Sequence, residues 1–243
     1  MKKFRDLSIN IKMSLIVGFT GLVVMSAVCS ILIVSQRGEV YDHTTRAIKL
    51  SAAVASSFLA DYINSAAMMP RTFAHVASAV IQSDDIAAED KRNRLLEELG
   101  FFADAEKAMD NFWAIFEPNA VDGLDEMFIG APGSDPNGSF MPWILNRQMR
   151  VMSSDRIDML LNLTKSYGQE VFTDAYMYNL SGSREEHVLS LCIPVIVNGQ
   201  IIGVVGRDFL ISHLNELAVS YDMTGRGRLV SSEGVIIVHG NPA

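Results

Sequence analysis

Residues 188–208 read VLSLCIPVIVNGQIIGVVGRD and contain the clearest folding signal in the chain. Residues 188–197 form an apolar run that is typical of a strand, and residues 201–205 form a second one. Asn198 and Gly199 lie between the two runs, and this pair favours a two-residue type I′ turn because both central positions of that turn need positive φ. The stretch therefore predicts an antiparallel β-hairpin.

Segments on both sides of this hairpin predict more strands. Residues 176–180 precede a short Ser-Gly-Ser turn at residues 181–183, so we expect an antiparallel meander of at least three strands. Residues 117–140 are dense in Pro, Gly, Asp and Asn, which predicts an extended loop. Further strands are predicted at residues 112–116 (FWAIF), 140–145 and 149–152.

A long helix is predicted between residues 37 and 82. Ile48, Ala55 and Leu59 belong to an apolar stripe with helical spacing. Pro70 should kink or restart this helix, because proline has no N–H to donate to the preceding turn. The stripe is expected to pack either against the chain's own domain or against a second copy in a coiled coil.

Shorter elements are predicted in the rest of the chain. Serine and aspartate at residues 83–85 predict the start of a second helix. The remaining predicted elements are a helix at residues 155–166 capped by Asp155, an amphipathic helix at residues 211–219, and a last hairpin formed by residues 227–230 and 235–239.

Residues 13–35 read MSLIVGFTGLVVMSAVCSILIVS and contain no charged residue. At ~1.5 Å per residue, a helix of this length reaches about 34 Å, which exceeds the ~30 Å hydrocarbon core of a bilayer. The alternative is a cleaved signal peptide, whose apolar region usually has only about 7–15 residues. The stretch therefore predicts an uncleaved transmembrane helix at residues 13–36.

The charges beside this helix predict its orientation. The chain has a net charge of −8, yet residues 1–12 carry one acid, Asp6, and four basic residues, Lys2, Lys3, Arg5 and Lys12. Basic residues beside a membrane span stay on the cytoplasmic side. We therefore expect a cytoplasmic N-terminal tail, an anchor in the cytoplasmic (inner) membrane, and a periplasmic or other extracytoplasmic acidic domain.

Composition argues against several classes of function. The acidic balance argues against nucleic-acid binding, which needs basic surface. The five histidines have no metal-ligand spacing, and Cys192, the only cysteine outside the predicted membrane helix, is expected in the core. The sequence contains no nucleophile elbow and no phosphate-binding loop. It therefore predicts no enzyme, no catalytic residue, no metal and no cofactor.

The anchor, the long helix and a set of short motifs in a fixed order together form a pattern that runs from the anchor to the last residue. The motifs begin at residue 116. They are residues 116–120 with Asp122, Gly123 and Asp125; Phe140, Pro142, Trp143 and Arg147; residues 175–178; residues 193–194; residues 198–199; residues 202–206 with Asp208; and residues 229–239. In this order and spacing the chain resembles the double-Cache (dCache) sensor domain of bacterial methyl-accepting chemotaxis proteins.

The resemblance implies an α+β architecture in which a transmembrane helix and a long stalk helix precede two PAS-like Cache lobes with antiparallel sheets. The implied divisions are a cytoplasmic tail (1–12), a transmembrane helix (13–36), a stalk helix (37–82), a complete membrane-distal, ligand-binding lobe (83–210) and the start of a truncated membrane-proximal lobe (211–243). Output segments would follow residue 243. Similar input domains occur in sensor histidine kinases and diguanylate cyclases, which remain alternatives to a chemoreceptor.

The resemblance also implies where a ligand binds. In amino-acid-binding members of the family, an aspartate at the end of the GVVGxD strand accepts the ligand's ammonium group, and Asp208 matches it. An arginine followed by Trp-Tyr usually holds the carboxylate end, whereas Arg156 is followed by Ile157. The implied partner is therefore a small polar metabolite, an amine or an amino-acid-like molecule, or a periplasmic binding protein that senses it.

Five residues are predicted to line this site: Trp143, Arg156, Tyr176, Tyr178 and Asp208. Aromatic ring faces and one carboxylate suit a small cation. The alternatives are a helix-capping role for Asp208, core packing for Trp143 and the two tyrosines, and a surface position for Arg156. A homodimer is expected, because one stalk helix alone offers little rigidity. The competing interpretation is a membrane-tethered interaction domain without a small-molecule site.

Overall fold

The computed structural model describes residues 8–105, 111–145, 148–180, 185–220, 228–230 and 236–239, in which a long helix precedes an antiparallel sheet. The helices are α1 (Ile9–Gln82), α2 (Ala88–Ala105), α3 (Ser154–Tyr167) and α4 (Ile211–Ser220). The strands are β1 (Asn111–Phe116), β2 (Trp143–Leu145), β3 (Gln148–Arg150), β4 (Val171–Phe172), β5 (Tyr176–Tyr178), β6 (Glu186–Val197), β7 (Gln200–Leu210), β8 (Arg228–Val230) and β9 (Ile236–His239). The predicted α+β class is confirmed.

The chain divides into two compact units, and the division falls within helix α1. The first unit ends at Val54, and within the described residues α1 is the helix that is long and apolar enough to cross a membrane. The second unit begins at Ala55, where the predicted apolar stripe becomes buried, as Leu59 and Phe73 are. Helix α1 continues through Pro70 as one helix, so of the two predicted effects of this proline the restart is wrong, and the kink stays a prediction.

The sheet of the second unit is antiparallel throughout. Its strand order is β3-β2-β1-β7-β6-β4, and β5 also pairs with β6. The β6–β7 turn has φ values of 52° at Asn198 and 80° at Gly199, as a type I′ turn requires. The predicted hairpin and three-strand meander are therefore confirmed. Strands β8 and β9 form a separate two-stranded sheet, in agreement with the predicted last hairpin.

The two faces of the sheet are covered by different helices. Side chains alternate across β1, so Phe112 packs in the cluster with Phe73 of α1 and Leu95 of α2. Its neighbour Trp113 points to the opposite face and packs in the cluster with Leu160 of α3. Because both faces of β1 are covered, all six of its residues are buried.

Several predicted boundaries differ from the observed ones. Helix α2 begins at Ala88, because Ser83 instead accepts a hydrogen bond from the Asp85 amide in a local turn. The N-cap of α3 is Ser153 and not Asp155, which lies in the first helical turn. Strand β2 begins at Trp143, after an isolated bridge at Phe140, and β3 covers residues 148–150. The turn at 181–183 and Arg147 lie outside the described residues.

Candidate ligand-binding site

Asp208 near the end of β7 is the centre of a buried polar network on the α3 face of the sheet. Its Oδ1 accepts hydrogen bonds from Trp113 Nε1 at 3.1 Å, from the Ser190 hydroxyl at 2.6 Å and from Arg156 Nη2. Its Oδ2 accepts one from Asn111 Nδ2 at 2.9 Å. Arg156 and Asp208 also form a buried ion pair. With Tyr176, which bonds to Arg156, these residues are called the Asp208 network below.

A second route connects the same two charges through neutral hydroxyls. Arg156 Nε donates to the Tyr176 hydroxyl at 3.0 Å. The hydroxyls of Tyr176 and Ser190 lie 2.7 Å apart, and Ser190 donates onward to Asp208. The Tyr176 hydroxyl is thus the donor toward Ser190, because the Ser190 proton is directed at the carboxylate.

Aromatic rings surround the guanidinium of Arg156. Its central carbon lies 4.2 Å from the ring centroid of Tyr178, 5.6 Å from that of Trp143 and 5.7 Å from that of Trp113. Contacts within about 6 Å of a ring face are attractive for a cation, most of all when water is excluded. Arg156 is only 3% exposed and Asp208 only 6%. The site is therefore a desolvated aromatic cage around an ion pair.

One donor group of this cage is unused. Arg156 Nη1 is buried and has no hydrogen-bond partner among the residues that the structure describes. A buried donor without a partner costs about 1–3 kcal/mol relative to its hydrated state. The Asp208 network therefore has hydrogen-bonding capacity left for an additional acceptor.

The buried environment changes the ionisation of three groups. Burial by itself would lower the pKa of Arg156, but the charge of Asp208 and the hydroxyl of Tyr176 outweigh it and raise that pKa above its usual value. Burial, together with the charge of Asp208, raises the pKa of Tyr176. Burial also raises the pKa of the Cys192 thiol, to about 12. At neutral pH the arginine is therefore charged, and the tyrosine and the cysteine are neutral.

A β-bulge places Ser190 beside Asp208. Near the turn Val197 pairs with Gln200, and a regular continuation of that register would put Leu189 opposite Asp208. The register shifts between Val195 and Ile196, so that Ser190 is the observed partner. Because opposite residues of an antiparallel pair point to the same face, the bulge brings a hydroxyl to the carboxylate instead of a leucine.

Gly206 in the GVVGRD stretch makes room for the Trp113 indole. A Cβ at this position would lie 2.4 Å from the Trp113 ring and 2.0 Å from the Leu191 carbonyl oxygen. Trp113 is the partner of Gly206 across β1 and β7. Without a side chain at residue 206, the indole lies against the sheet and its N–H reaches Asp208 two residues further on.

The structure brings the five predicted site residues together in one region. Arg156 is buried, so its alternative surface position is wrong. Asp208 accepts its hydrogen bonds from β1, β6 and α3, so it does not cap α4. Trp143 is 5% exposed and the two tyrosines are partly buried, so all three combine core packing with contact to the cage. Whether a ligand contacts these residues remains a prediction.

Three members of the network were not predicted: Asn111, Trp113 and Ser190. Asn111 holds the cage together, because its amide donates to Asp208 while its Oδ1 accepts from Trp143 Nε1 at 3.1 Å. Ser190 could have been noticed as a hydroxyl within the otherwise apolar run at residues 188–197. Trp113 could not, because nothing local distinguishes it from a core residue.

A second buried arginine, Arg92, lies in α2. It was also not predicted. Its Nε and Nη2 bind the two Asp122 oxygens at 2.6 and 2.9 Å, and Nη2 also contacts Asp125. Its Nη1 donates to the Gly138 carbonyl, with the Ser134 hydroxyl at 3.4 Å. We call Arg92, Asp122 and Asp125 the Arg92 clamp.

The Arg92 clamp fixes the predicted loop of residues 117–140 to α2. Asp125 Oδ2 accepts hydrogen bonds from the Asn119 amide and the Ser139 hydroxyl, each at 2.8 Å. Burial by itself would raise the pKa of Asp125, but these hydrogen bonds and Arg92 outweigh it and lower that pKa. Each nitrogen of Arg92 thus has an acceptor, and the clamp has the features of a structural site.

Within the described residues, no group of three His, Cys, Asp or Glu side chains is arranged to hold a metal ion. No protein-family model matches the chain. In an alignment 147 residues long that covers 51% of this chain, the sequence is 29% identical to methyl-accepting chemotaxis protein TlpQ of Pseudomonas aeruginosa. The match covers 20% of TlpQ, so the chain spans about a fifth of the length of this curated relative.

Solved structures share the fold. The extracellular domain of mmHK1S-Z3, a protein assigned as a histidine kinase, superposes on this chain with a TM-score of 0.62 at 21% sequence identity. The superposition covers 81% of this chain and 70% of the mmHK1S-Z3 chain. The sensory domain of the Campylobacter jejuni chemoreceptor Tlp3, with isoleucine bound, gives a TM-score of 0.57 at 15% identity over 83% of this chain and 72% of its own.

These comparisons confirm the resemblance that the sequence motifs predicted. The chain has the Cache-type fold of extracytoplasmic sensory domains, and its named relatives are a chemotaxis receptor and sensory domains of receptors and kinases. The names of these proteins agree with the prediction that the chain is a sensor module and not an enzyme.

Proposed function

We propose that this chain is the extracytoplasmic small-molecule sensing module of a transmembrane chemoreceptor, and that its ligand binds in the cage around Asp208. The observation that carries the proposal is the convergence of an ion pair, three aromatic rings and one unused buried donor in a single desolvated site. Desolvated charges and open donors are expensive for stability alone, and they accumulate at functional sites.

An amine or an amino-acid-like molecule is the ligand class that this chemistry favours. Ring faces and a carboxylate attract a positive group. The isoleucine in the Tlp3 sensory domain supports the same class. A periplasmic binding protein that presents the metabolite is the alternative partner. In this proposal residues 83–210 form the ligand-binding lobe, and residues 211–243 begin a membrane-proximal one.

The sensor reports through the membrane in this proposal. The basic tail at residues 1–12 stays in the cytoplasm, residues 13–36 cross the inner membrane, and the sheet domain lies in the periplasm. A ligand that binds one conformation of the lobe more tightly shifts the equilibrium toward it. That shift favours one arrangement of the stalk in a homodimer of the chain. Residues 37–82 of α1 form this stalk.

Thermal unfolding of the full chain in nanodiscs tests this proposal. Amino acids, amines, purines and organic acids are added one at a time. A ligand at ~100 times its dissociation constant adds about 2.7 kcal/mol, and each kcal/mol raises the melting temperature by about 2–4 °C for a domain of this size. We expect one class to raise it in the wild type and in Asp158→Asn, a matched exposed carboxyl on α3, but not in Asp208→Asn.

A sensor histidine kinase or a diguanylate cyclase is the second candidate for the full-length protein. The mmHK1S-Z3 extracellular domain favours the kinase, because its fold matches this chain as well as the chemoreceptor domains do. The output segments that follow the sensor in the gene decide between these three receptors. If no compound shifts the melting temperature of the wild type, direct sensing is wrong and the interaction-domain alternative gains.

A further inference from the structure

The guanidinium of Arg156 occupies the position that a cationic ligand would need. It is the group paired with Asp208, and it is the cation that lies 4.2 Å from the Tyr178 ring. The rings of Trp143 and Trp113 face the same carbon at 5.6 and 5.7 Å. The interactions that the cage can offer to a cation are therefore already made by a side chain of the protein.

Charge balance prevents a second cation from entering beside Arg156. Asp208 and Arg156 neutralise each other, and each is almost fully buried. An additional positive group in this desolvated site would have no counter-charge among the network residues, and a buried unpaired charge is strongly unfavourable. A cation binds at Asp208 only when the arginine has left.

Two features make the departure of Arg156 feasible. Its Nη1 is buried without a hydrogen-bond partner among the described residues, so leaving the cage returns this donor to water. Arg156 also lies in the first turn of α3, directly after Ser154 and Asp155, which are exposed. The flexible stem of an arginine at such a position can turn its charged end toward solvent.

We propose that Arg156 acts as an internal ligand: it fills the cation site of the cage, and a cationic ligand binds by displacing it. The inference rests on the proposed function, because it concerns the same site. It makes Arg156 a residue that sets the threshold for sensing, since only a cation that binds the cage better than this guanidinium can enter. The signal is then the movement of Arg156 and of the start of α3.

The test compares binding of small cations to the wild type and to Arg156→Ala. The probes are methylguanidinium and methylammonium, added to the full chain in nanodiscs. The sequence has two tryptophans, Trp113 and Trp143, and both contact the network, so their intrinsic fluorescence reports occupancy without a label. If Arg156 fills the site nine times in ten, its removal tightens the apparent affinity about tenfold.

Controls separate this effect from general charge effects. Arg94→Ala removes an exposed arginine of α2 and should leave the affinity as in the wild type. Arg156→Ala combined with Asp208→Asn should lose the gain, and acetate should not bind more tightly to Arg156→Ala. If circular dichroism shows that Arg156→Ala is unfolded, Arg156→Gln, which removes the charge but retains much of the side chain, replaces it.

Each possible result of this test either supports or overturns the proposal. Tighter saturable binding to Arg156→Ala than to the wild type supports an internal ligand. Weaker binding overturns it, because Arg156 would then hold the ligand directly. Equal binding, or none to either protein, overturns it as well and leaves Arg156 as a structural ion pair. The metabolite screen on the wild type is independent of these probes, so a failure of the internal ligand is distinguishable from a failure of the sensing function.

Discussion

Among the residues that the structure describes, two arginines are buried: Arg92 is 2% exposed and Arg156 is 3% exposed, and each pairs with a buried aspartate. They differ in how completely they are satisfied. Arg92 shares two carboxylates and a main-chain carbonyl, so each of its nitrogens has an acceptor. Arg156 has one carboxylate and one tyrosine hydroxyl, and its Nη1 has no partner within the described chain.

In our proposal, this difference separates a structural ion pair from one that belongs to a ligand-binding site. A buried ion pair contributes to stability only when its geometry is good and its remaining donors are satisfied. The Arg92 clamp meets that condition and fixes a long loop, whereas the Asp208 network does not. Aromatic rings do not separate the two sites, because Arg92 lies 4.3 Å from the Phe128 ring centroid and Arg156 lies 4.2 Å from that of Tyr178. Burial and charge pairing alone would not distinguish the two sites; the unused donor does.

Removal of Arg92 should have the largest effect on stability. Arg92→Met leaves Asp122 and Asp125 buried without their cation, and breaking a buried pair costs about 3–5 kcal/mol. At about 2–4 °C per kcal/mol, the melting temperature should fall by roughly 6–20 °C. Arg94→Met, on the exposed face of the same helix, is the matched control and should change it little. A loss below 1 kcal/mol would contradict a structural role.

Removal of Arg156 should cost less than removal of Arg92. In Arg156→Met the Asp208 carboxylate keeps hydrogen bonds from Asn111, Trp113 and Ser190, and the unsatisfied Nη1 disappears. We expect a loss of about 1–3 kcal/mol in the free energy of unfolding, measured in urea beside Arg92→Met. If the two substitutions cost the same, the proposed distinction between the sites is wrong.

Acid should weaken the clamp through Asp125. Its pKa is lower in the folded protein than its ordinary value, because hydrogen bonds from Asn119, Ser139 and Arg92 outweigh the effect of burial. A lowered carboxyl pKa adds stability that is fully present above about pH 4 and is lost as the pH falls through the folded value. Asp125→Asn lacks this contribution, so the free-energy gap between wild type and variant should narrow from pH 5 to pH 2.5.

The control for this pH series is Asp158→Asn, which removes an exposed carboxyl on α3. The difference in free energy of unfolding between Asp158→Asn and the wild type should stay nearly constant over the same pH range. A gap between wild type and Asp125→Asn that widens as the pH falls would contradict the direction of the Asp125 shift.

The sequence predicted what depends on local signals and missed what depends on register and distance. The Asn198-Gly199 turn was recognised because its backbone needs are local. The partnership of Ser190 with Asp208 was not, because it depends on a bulge that a regular hairpin would lack. In the sequence, Arg92 looks like one of several charged residues on the exposed face of a helix. It is buried only because a loop distant in the sequence packs over α2.

The site residues came from the resemblance more than from the pattern. Trp143, Arg156, Tyr176, Tyr178 and Asp208 are far apart in the sequence, and the motif order was what grouped them. Their actual arrangement was still unexpected, because the arginine fills the cage and neutralises the aspartate. A linear motif shows which residues are present but not whether they pair with each other in the folded chain.

Loss of the Tyr176 hydroxyl should give a smaller effect than loss of Arg92. Tyr176→Phe keeps the ring but removes the group between Arg156 Nε and Ser190, so Arg156 would then have two unused nitrogens. We expect a loss of about 1–3 kcal/mol in urea unfolding, because the hydroxyl makes two hydrogen bonds of about 0.5–1.5 kcal/mol each. We also expect a change in tryptophan fluorescence as Arg156 moves relative to the two indoles. Tyr167→Phe, at an exposed position of α3, should change neither. A loss as large as that of Arg92→Met would mean that the hydroxyl route is as essential as the clamp, and the Asp208 network would then have to be classified as structural despite its open donor.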